Sequence, residues 1–322
     1  MKIAILGGGV AAFEAANAAR KFSAEVEIDI YSSEALPPYR RPALSGMLAN
    51  FTINEKMFFI KPESFYTENN ISLHLNKSCM EIKEDSLLFA DGSQAAFDKL
   101  IIATGGAACR PPIPGSDLPN VCTFRNFADL EKLNAAVANI RSAVVIGGGV
   151  LGLELAESLL KRNIHVTVLE MNQQLFAKKL TPEAASEVEA KLRETENFDL
   201  RLGVKVSAIT TDGVTLENGD TVSGEIVIFS AGSRPALPDK FPASLKVERG
   251  IIVDRKMQTS CKNIFAAGDA IELEGKCFGL YNDARNTGIV AGANAAGAAE
   301  EYQEGAATPV RFFSFGFKLV MP

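Results

Sequence analysis

The chain opens on "KIAILGGGVAAFEAANAARKFSAEVEIDIY", and a close copy, "SAVVIGGGVLGLELAESLLKRNIHVTVLE", returns at residues 142–170. Each copy reads as a short apolar strand, a glycine turn, a helix-like run and a second apolar strand. In the first, Gly7-x-Gly9-x-x-Ala12 follows the strand; in the second, Gly147-x-Gly149-x-x-Gly152 does. Such a unit buries itself only if its strands lie parallel in one sheet with the helix across a face. Two copies therefore demand two parallel sheets, and the fold class expected is α/β.

The glycine spacing has its own chemistry. The first glycine (Gly7, Gly147) permits a tight turn. The second (Gly9, Gly149) lets backbone approach a pyrophosphate, and the third small residue (Ala12, Gly152) lets helix and strand pack closely. The helix N-terminus then offers free amides and partial positive charge to phosphates. An acidic residue about 20 positions on should accept bonds from ribose hydroxyls. Glu34 is the candidate after the first loop. Asp29 is nearer, but its alternation with Ile28 and Ile30 marks a strand-face residue. After the second loop Glu170 ends the strand. A carboxylate there repels a 2′-phosphate, and Met171 to Gln174 bring no cation, which favours NADH over NADPH.

The rest of the chain limits the alternatives. With 322 residues there is room for two domains, and 47% apolar residues suffice for real cores. A net charge of -6 and a pI near 5.3 argue against nucleic acid as main partner. No apolar run reaches the roughly 20 residues of a membrane span. No secretory leader precedes the first strand, so a cytoplasmic setting is expected. Asp-Gly and Asn-Gly pairs at 91–92, 212–213 and 218–219 predict antiparallel meanders. Proline-rich runs at 110–119 and 233–242 are expected to be linkers. Five scattered cysteines (Cys79, Cys109, Cys122, Cys261, Cys277) form no Cys-x-x-Cys pair and read as free thiols. His74 and His165 stand in strand-like runs as structural residues, and no cluster has metal-ligand spacing.

Three further stretches extend the pattern: "DKLIIATGG" (98–106), "EIVIFSAGSRP" (225–235) and "NIFAAGDA" (263–270). With the two glycine loops and in this order, they resemble the two-dinucleotide-binding-domain flavoproteins, the pyridine nucleotide-disulfide oxidoreductase superfamily, over residues 1 to about 300. "LPPYRRPALS" and "FFIKPESFYTENNISLHL" are most similar to NADH:rubredoxin oxidoreductases and the related rubredoxin, ferredoxin and nitrite reductase flavoproteins. The resemblance implies two Rossmann-like domains, the NAD domain inserted into the FAD domain. The FAD-binding domain would comprise 1–110 and 237–322, and the NADH-binding domain 111–236.

By the same resemblance, Arg41 and Pro42 lie against FAD, and Cys79 supplies a backbone group near its adenine. Thr104, Gly105 and Gly268 line the FAD cleft, and Asp269 bonds the ribityl chain. Cys109 stands where many relatives have arginine, with Arg110 following as the substitute. Tyr281, Thr287 and Gly288 belong to a helix whose start faces the flavin. On the NADH side, Val150 sits beside the flavin–nicotinamide stack and Gly232 lines the exit from the domain. Glu154, the candidate catalytic residue, reaches the nicotinamide ribose or amide. Disulfide reductases, coenzyme A disulfide reductases and NADH peroxidases are disfavoured, because "RRPALSGMLAN" carries no thiol. Cys277 is read as a spare buried thiol.

The implied activity is hydride transfer from NADH to FAD, then electron delivery to a small redox protein of rubredoxin or ferredoxin type. Another acceptor (nitrite reductase-like, or oxygen) and a redox-responsive flavoprotein acting by association remain alternatives. Relatives continue for roughly another domain past residue 300. That leaves "FFSFGF" (312–317) as an expected exposed apolar strand that invites homo-oligomerisation.

Overall fold

The computed structural model describes the chain except residues 51, 53, 178, 306, 307, 313, 314 and 322, and the side chains of 308–311 and 318–321. The chain forms two compact units. The first comprises residues 1–41, 54–107 and 234–305, the second 42–53, 108–233 and 306–322.

The first unit is built on a five-stranded sheet. Its order is Ile264–Ala266, Lys99–Ile102, Lys2–Leu6, Glu27–Tyr31, Ile71–His74. Every neighbouring pair is parallel, with Ile3 opposite Ile28 and Ile28 opposite Ile71. Both faces are covered, so the strands are nearly continuous in apolar residues. Ile3, Ala4, Ile5 and Leu100 to Ile102 have no exposed surface. Asp29 is the exception, a buried carboxylate 2.8 Å from both Lys2 Nζ and His74 Nε2. Those pairings make it a structural group of the strand.

Helices Val10–Phe22 and Tyr281–Ala295 cross very closely in this unit. A Cβ on Gly288 would stand 2.4 Å from the Ala11 carbonyl oxygen, and one on Gly292 2.0 Å from that of Ala15. The lack of side chain at both positions is thus accounted for by helix packing. The Asp91-Gly92 turn joins the second and third strands of an antiparallel sheet, Cys79–Ile82, Ser86–Phe89 and Gln94–Ala96.

The second unit repeats the design. Its parallel sheet runs Phe198–Leu202, His165–Glu170, Ser142–Ile146, Ile226–Phe229, Val121–Thr123. The two expected glycine turns lie in the meander Val206–Thr210, Gly213–Leu216, Thr221–Ser223. Helix Ala43–Asn50 packs on helix Val150–Leu160. The Ser158 hydroxyl donates to the Ser45 carbonyl at 2.6 Å, and Arg162 donates to the Leu48 carbonyl at 3.2 Å.

Three expectations are corrected. The proline runs are packed loops. Pro114 accepts from the Ile209 amide at 2.8 Å in the second unit, and Lys240 accepts from the Ile82 amide at 2.9 Å in the first. "FFSFGF" is not an exposed strand: Phe312 and Phe315 are buried, and the Phe315 ring lies 5.3 Å from that of Phe198. Aromatic packing removes their surface from water; Phe313 and Ser314 lie outside the described residues. Cys277 is exposed on the short strand Lys276–Cys277, not buried.

Candidate functional site

In the first unit the glycine loop leaves the C-terminal end of the strand Lys2–Leu6, whose neighbours lie on both sides. Ligands of open parallel sheets bind at this switch point. Gly7 has φ +140°, and a Cβ there would stand 2.0 Å from the Ala103 carbonyl oxygen. Backbone conformation and packing both require glycine at that position. Gly9 is different. Its backbone is extended (φ -94°, ψ -174°), and a Cβ would meet Arg41 Nε at 3.9 Å, an ordinary contact. Nothing among the described residues therefore demands a glycine at 9, and the space beside it is open. The helix Val10–Phe22 that follows has no side-chain cap, so its first amides are available to an anion. Ala12 is fully buried at its base.

Glu34, Tyr39 and Arg41 gather beside this loop. Glu34 accepts from the Tyr39 hydroxyl at 2.6 Å and pairs with the Arg41 guanidinium. Burial works against the charged guanidinium, but Tyr39, Glu34 and Asp269 outweigh it and hold Arg41 above its ordinary pKa. Thr104 follows the neighbouring strand, and its hydroxyl is buried without a hydrogen-bond partner among the described residues. An orphaned buried hydroxyl is costly unless a ligand or water completes it. Gly105 and Gly268 have φ +70° and +75°. The Thr287 hydroxyl accepts from the Gly268 amide at 3.0 Å and donates to the Asp283 carbonyl at 2.7 Å. Thr287 thus fixes the turn that presents Asp269, while Gly288 serves the helix crossing. Tyr281 begins the helix, half-buried, and burial pushes its phenol up. Burial pushes the Cys79 thiol up to about 11, and its sulfur donates to the Glu81 carbonyl at 3.4 Å. It is a neutral packed thiol. Arg110 belongs to the second unit, where it donates to the Ser116 carbonyl at 2.7 Å and lies 3.6 Å from Asp117.

The second unit presents the same loop. Gly147 has φ +115°, with a virtual Cβ 2.3 Å from the Ser230 carbonyl oxygen. Gly152 lies against the Gly147 carbonyl, where a Cβ would stand at 2.0 Å. Gly149 again has extended backbone (φ -74°, ψ -176°), and a Cβ there would meet no described atom within 4 Å, its chain neighbours aside. Val150 opens an uncapped helix. Glu170 is tied to the loop, its Oε2 accepting from the Gly148 amide at 2.9 Å. Gly232 (φ +87°) offers its carbonyl to the Cys109 amide at 2.9 Å. Glu154 accepts from the Ser45 hydroxyl at 2.9 Å, and burial raises its pKa, partly offset by that bond.

Two loops that each keep one glycine for no reason internal to the protein, two uncapped helix starts and an orphaned hydroxyl fit a dinucleotide in each unit. The family description of the pyridine nucleotide-disulphide oxidoreductases matches residues 1–298. The chain belongs to this family. Among similar pyridine nucleotide-disulphide oxidoreductases, the rubredoxin-NAD(+) reductase of Ectopseudomonas oleovorans is 36% identical over 276 residues, covering 84% of this chain and 71% of that protein. The NADH-rubredoxin oxidoreductase of Clostridium acetobutylicum is 32% identical, covering 96% of this chain and 78% of its own. Of solved structures, a ferredoxin reductase for the CYP199A2 system from Rhodopseudomonas palustris superposes with a TM-score of 0.86 at 26% identity, over 96% of this chain and 78% of that one.

Sequence reasoning overlooked several residues of these sites. Ser32 faces Gly8 and caps the Glu34 amide at 3.1 Å. Tyr39 orients Glu34, Ser45 holds Glu154, and Asn172 holds Glu170. Only Asn172 had a local signal, since an Asn two residues past a carboxylate is placed for a turn. Among the described residues no cluster of His, Cys, Asp and Glu could hold a metal ion, and no helix is long and apolar enough to cross a membrane.

Proposed function

We propose that the chain is an FAD-dependent oxidoreductase that takes hydride from NADH and passes electrons to a small redox protein of rubredoxin or ferredoxin type. The observation that carries the reading is the pair of glycines, Gly9 and Gly149, kept free of side chains for no reason of packing or backbone strain. Family membership and the rubredoxin reductases among its relatives support it.

The first unit is the FAD site in this reading. The Gly7–Ala12 turn and its helix start hold the pyrophosphate, Glu34 takes the ribose hydroxyls, and Arg41 neutralises phosphate charge. The Thr104 hydroxyl gains its missing partner there, with Gly105 and Gly268 allowing close approach and Asp269 taking a ligand hydroxyl. Tyr281 closes one side, and Thr287 acts through the turn it fixes. The second unit is the NADH site: Gly147, Gly149 and Gly152 form the turn, Val150 starts the helix, Gly232 leaves room at the exit, and Glu170 takes the adenosine ribose. Glu154, its pKa raised by burial, stands toward the nicotinamide end in this reading. FAD supplies two-electron acceptance from hydride and stepwise release of electrons; the protein supplies orientation and exclusion of water.

The cysteines support a route without a protein disulfide. All five are free, and Cys79, Cys122 and Cys277 are shifted toward the neutral thiol. Free thiols also support a reducing, cytoplasmic setting. Homo-oligomerisation through the C-terminal segment loses its motive with Phe312 and Phe315 buried. The test is reoxidation. Protein reduced with one equivalent of NADH under anaerobic conditions should recover its oxidised flavin spectrum on addition of oxidised rubredoxin. A reduced flavin that neither rubredoxin nor ferredoxin relieves would contradict the reading.

A further inference from the structure

The Glu170 carboxylate is held by more than the glycine loop. Its Oε1 accepts from the Asn172 backbone amide at 2.9 Å and from the Asn172 side-chain Nδ2 at 2.6 Å, while Oε2 accepts from the Gly148 amide at 2.9 Å. The turn that presents Asn172 is itself anchored. The Asn172 carbonyl accepts from the Gly203 amide at 2.8 Å, and the Glu170 carbonyl from the Val204 amide at 3.1 Å. Gly203 sits at φ +67° with the Gln173 amide folded over it, where a Cβ would lie 2.6 Å from that side chain. An ionised carboxylate offers about four lone-pair directions. Three are taken by donors of this turn and loop, so the direction left over is fixed by the protein before any ligand arrives.

We propose that Asn172 is a positioning residue that sets discrimination between NAD(H) and NADP(H) by locking the Glu170 carboxylate. This rests on the assignment of Glu170 to the adenosine ribose. A locked carboxylate accepts from a ribose hydroxyl at no rotational cost, and it cannot turn away from a 2′-phosphate. Freed of the side-chain donor, Glu170 regains rotamers that relax both effects. Asn172 is exposed, and its side chain donates to Glu170.

The experiment is calorimetric titration of the FAD-loaded protein with NAD+ and with NADP+, for wild type, Asn172→Ala, Asn172→Ser, Glu170→Ala and the Glu170→Ala/Asn172→Ala double variant. Loss of one hydrogen bond to a charged acceptor predicts that Asn172→Ala narrows the ratio of the two Kd values by about ten-fold. Serine, a shorter donor, should restore part of it. Because Asn172 acts through Glu170, its replacement should change nothing further in the Glu170→Ala background. The proposal is overturned if Glu170→Ala collapses the ratio while Asn172→Ala leaves it intact, or if the Asn172 effect persists without Glu170. An unchanged ratio in Glu170→Ala would sink the ribose assignment itself, a distinct result.

Discussion

At the scale of single residues, the glycine loops contain two kinds of glycine. Gly7 and Gly147 are demanded from within, by positive φ and by carbonyl oxygens nearly in contact. Gly9 and Gly149 are demanded by neither φ nor any described neighbour, which leaves room for a ligand. The motif spacing made all four legible, but the distinction between them needed coordinates. Glu154 was legible by resemblance; its environment was not, because Ser45 lies 109 positions away and meets it through helix packing. Burial raises the Glu154 carboxyl above its ordinary 4.5. The folded state therefore favours the protonated form. The stability this gives is fully present below the unfolded value and is lost as pH rises through the raised folded value. Glu154→Gln, which mimics the protonated form, should raise the melting temperature relative to wild type near neutral pH, and the gain should vanish at pH values below 4.5. Melting curves across that range decide it; equal curves at neutral pH would argue that the carboxylate is well solvated.

Elements were read from periodicity, and where the period was strong the reading was sufficient. Both parallel sheets, both loop helices and the Asp-Gly and Asn-Gly turns follow from local patterns. The proline runs misled because proline content reports local stiffness. It says nothing of whether the carbonyls find partners, and Pro114 and Lys240 both do. "FFSFGF" misled for a related reason: an apolar run does not name what covers it, and Phe198 is far away in sequence. The crossing of helices Val10–Phe22 and Tyr281–Ala295 was likewise invisible, since glycines at 288 and 292 look merely like poor helix formers. Helix propensity favours Gly292→Ala by up to about 1 kcal/mol. The geometry puts the new Cβ 2.0 Å from the Ala15 carbonyl oxygen, a clash that overpacking costs of about 1–3 kcal/mol or more should outweigh. Gly292→Ala is expected to destabilise the protein in urea titration; a more stable variant would show that the helices part easily.

For the whole molecule, the repeated loop stands at the same place in each unit, beyond the end of a central strand and beside the strand that follows. That duplication is why two dinucleotides are the natural reading of a chain with one repeated phrase. The acceptor is less legible, because recognition surfaces are assembled from residues scattered through the sequence. The central claim is that the two cradles are separate, the first for FAD and the second for NADH. It is tested most directly by comparing Gly9→Leu with Gly149→Leu, both at positions whose extended backbone tolerates a side chain. Flavin content per chain and the rate of flavin reduction by NADH are measured on each. Gly9→Leu should purify folded but depleted of flavin. Gly149→Leu should keep its full flavin and lose affinity for NADH by at least about ten-fold. Loss of flavin from Gly149→Leu with NADH affinity intact, or full flavin in Gly9→Leu, would contradict the assignment.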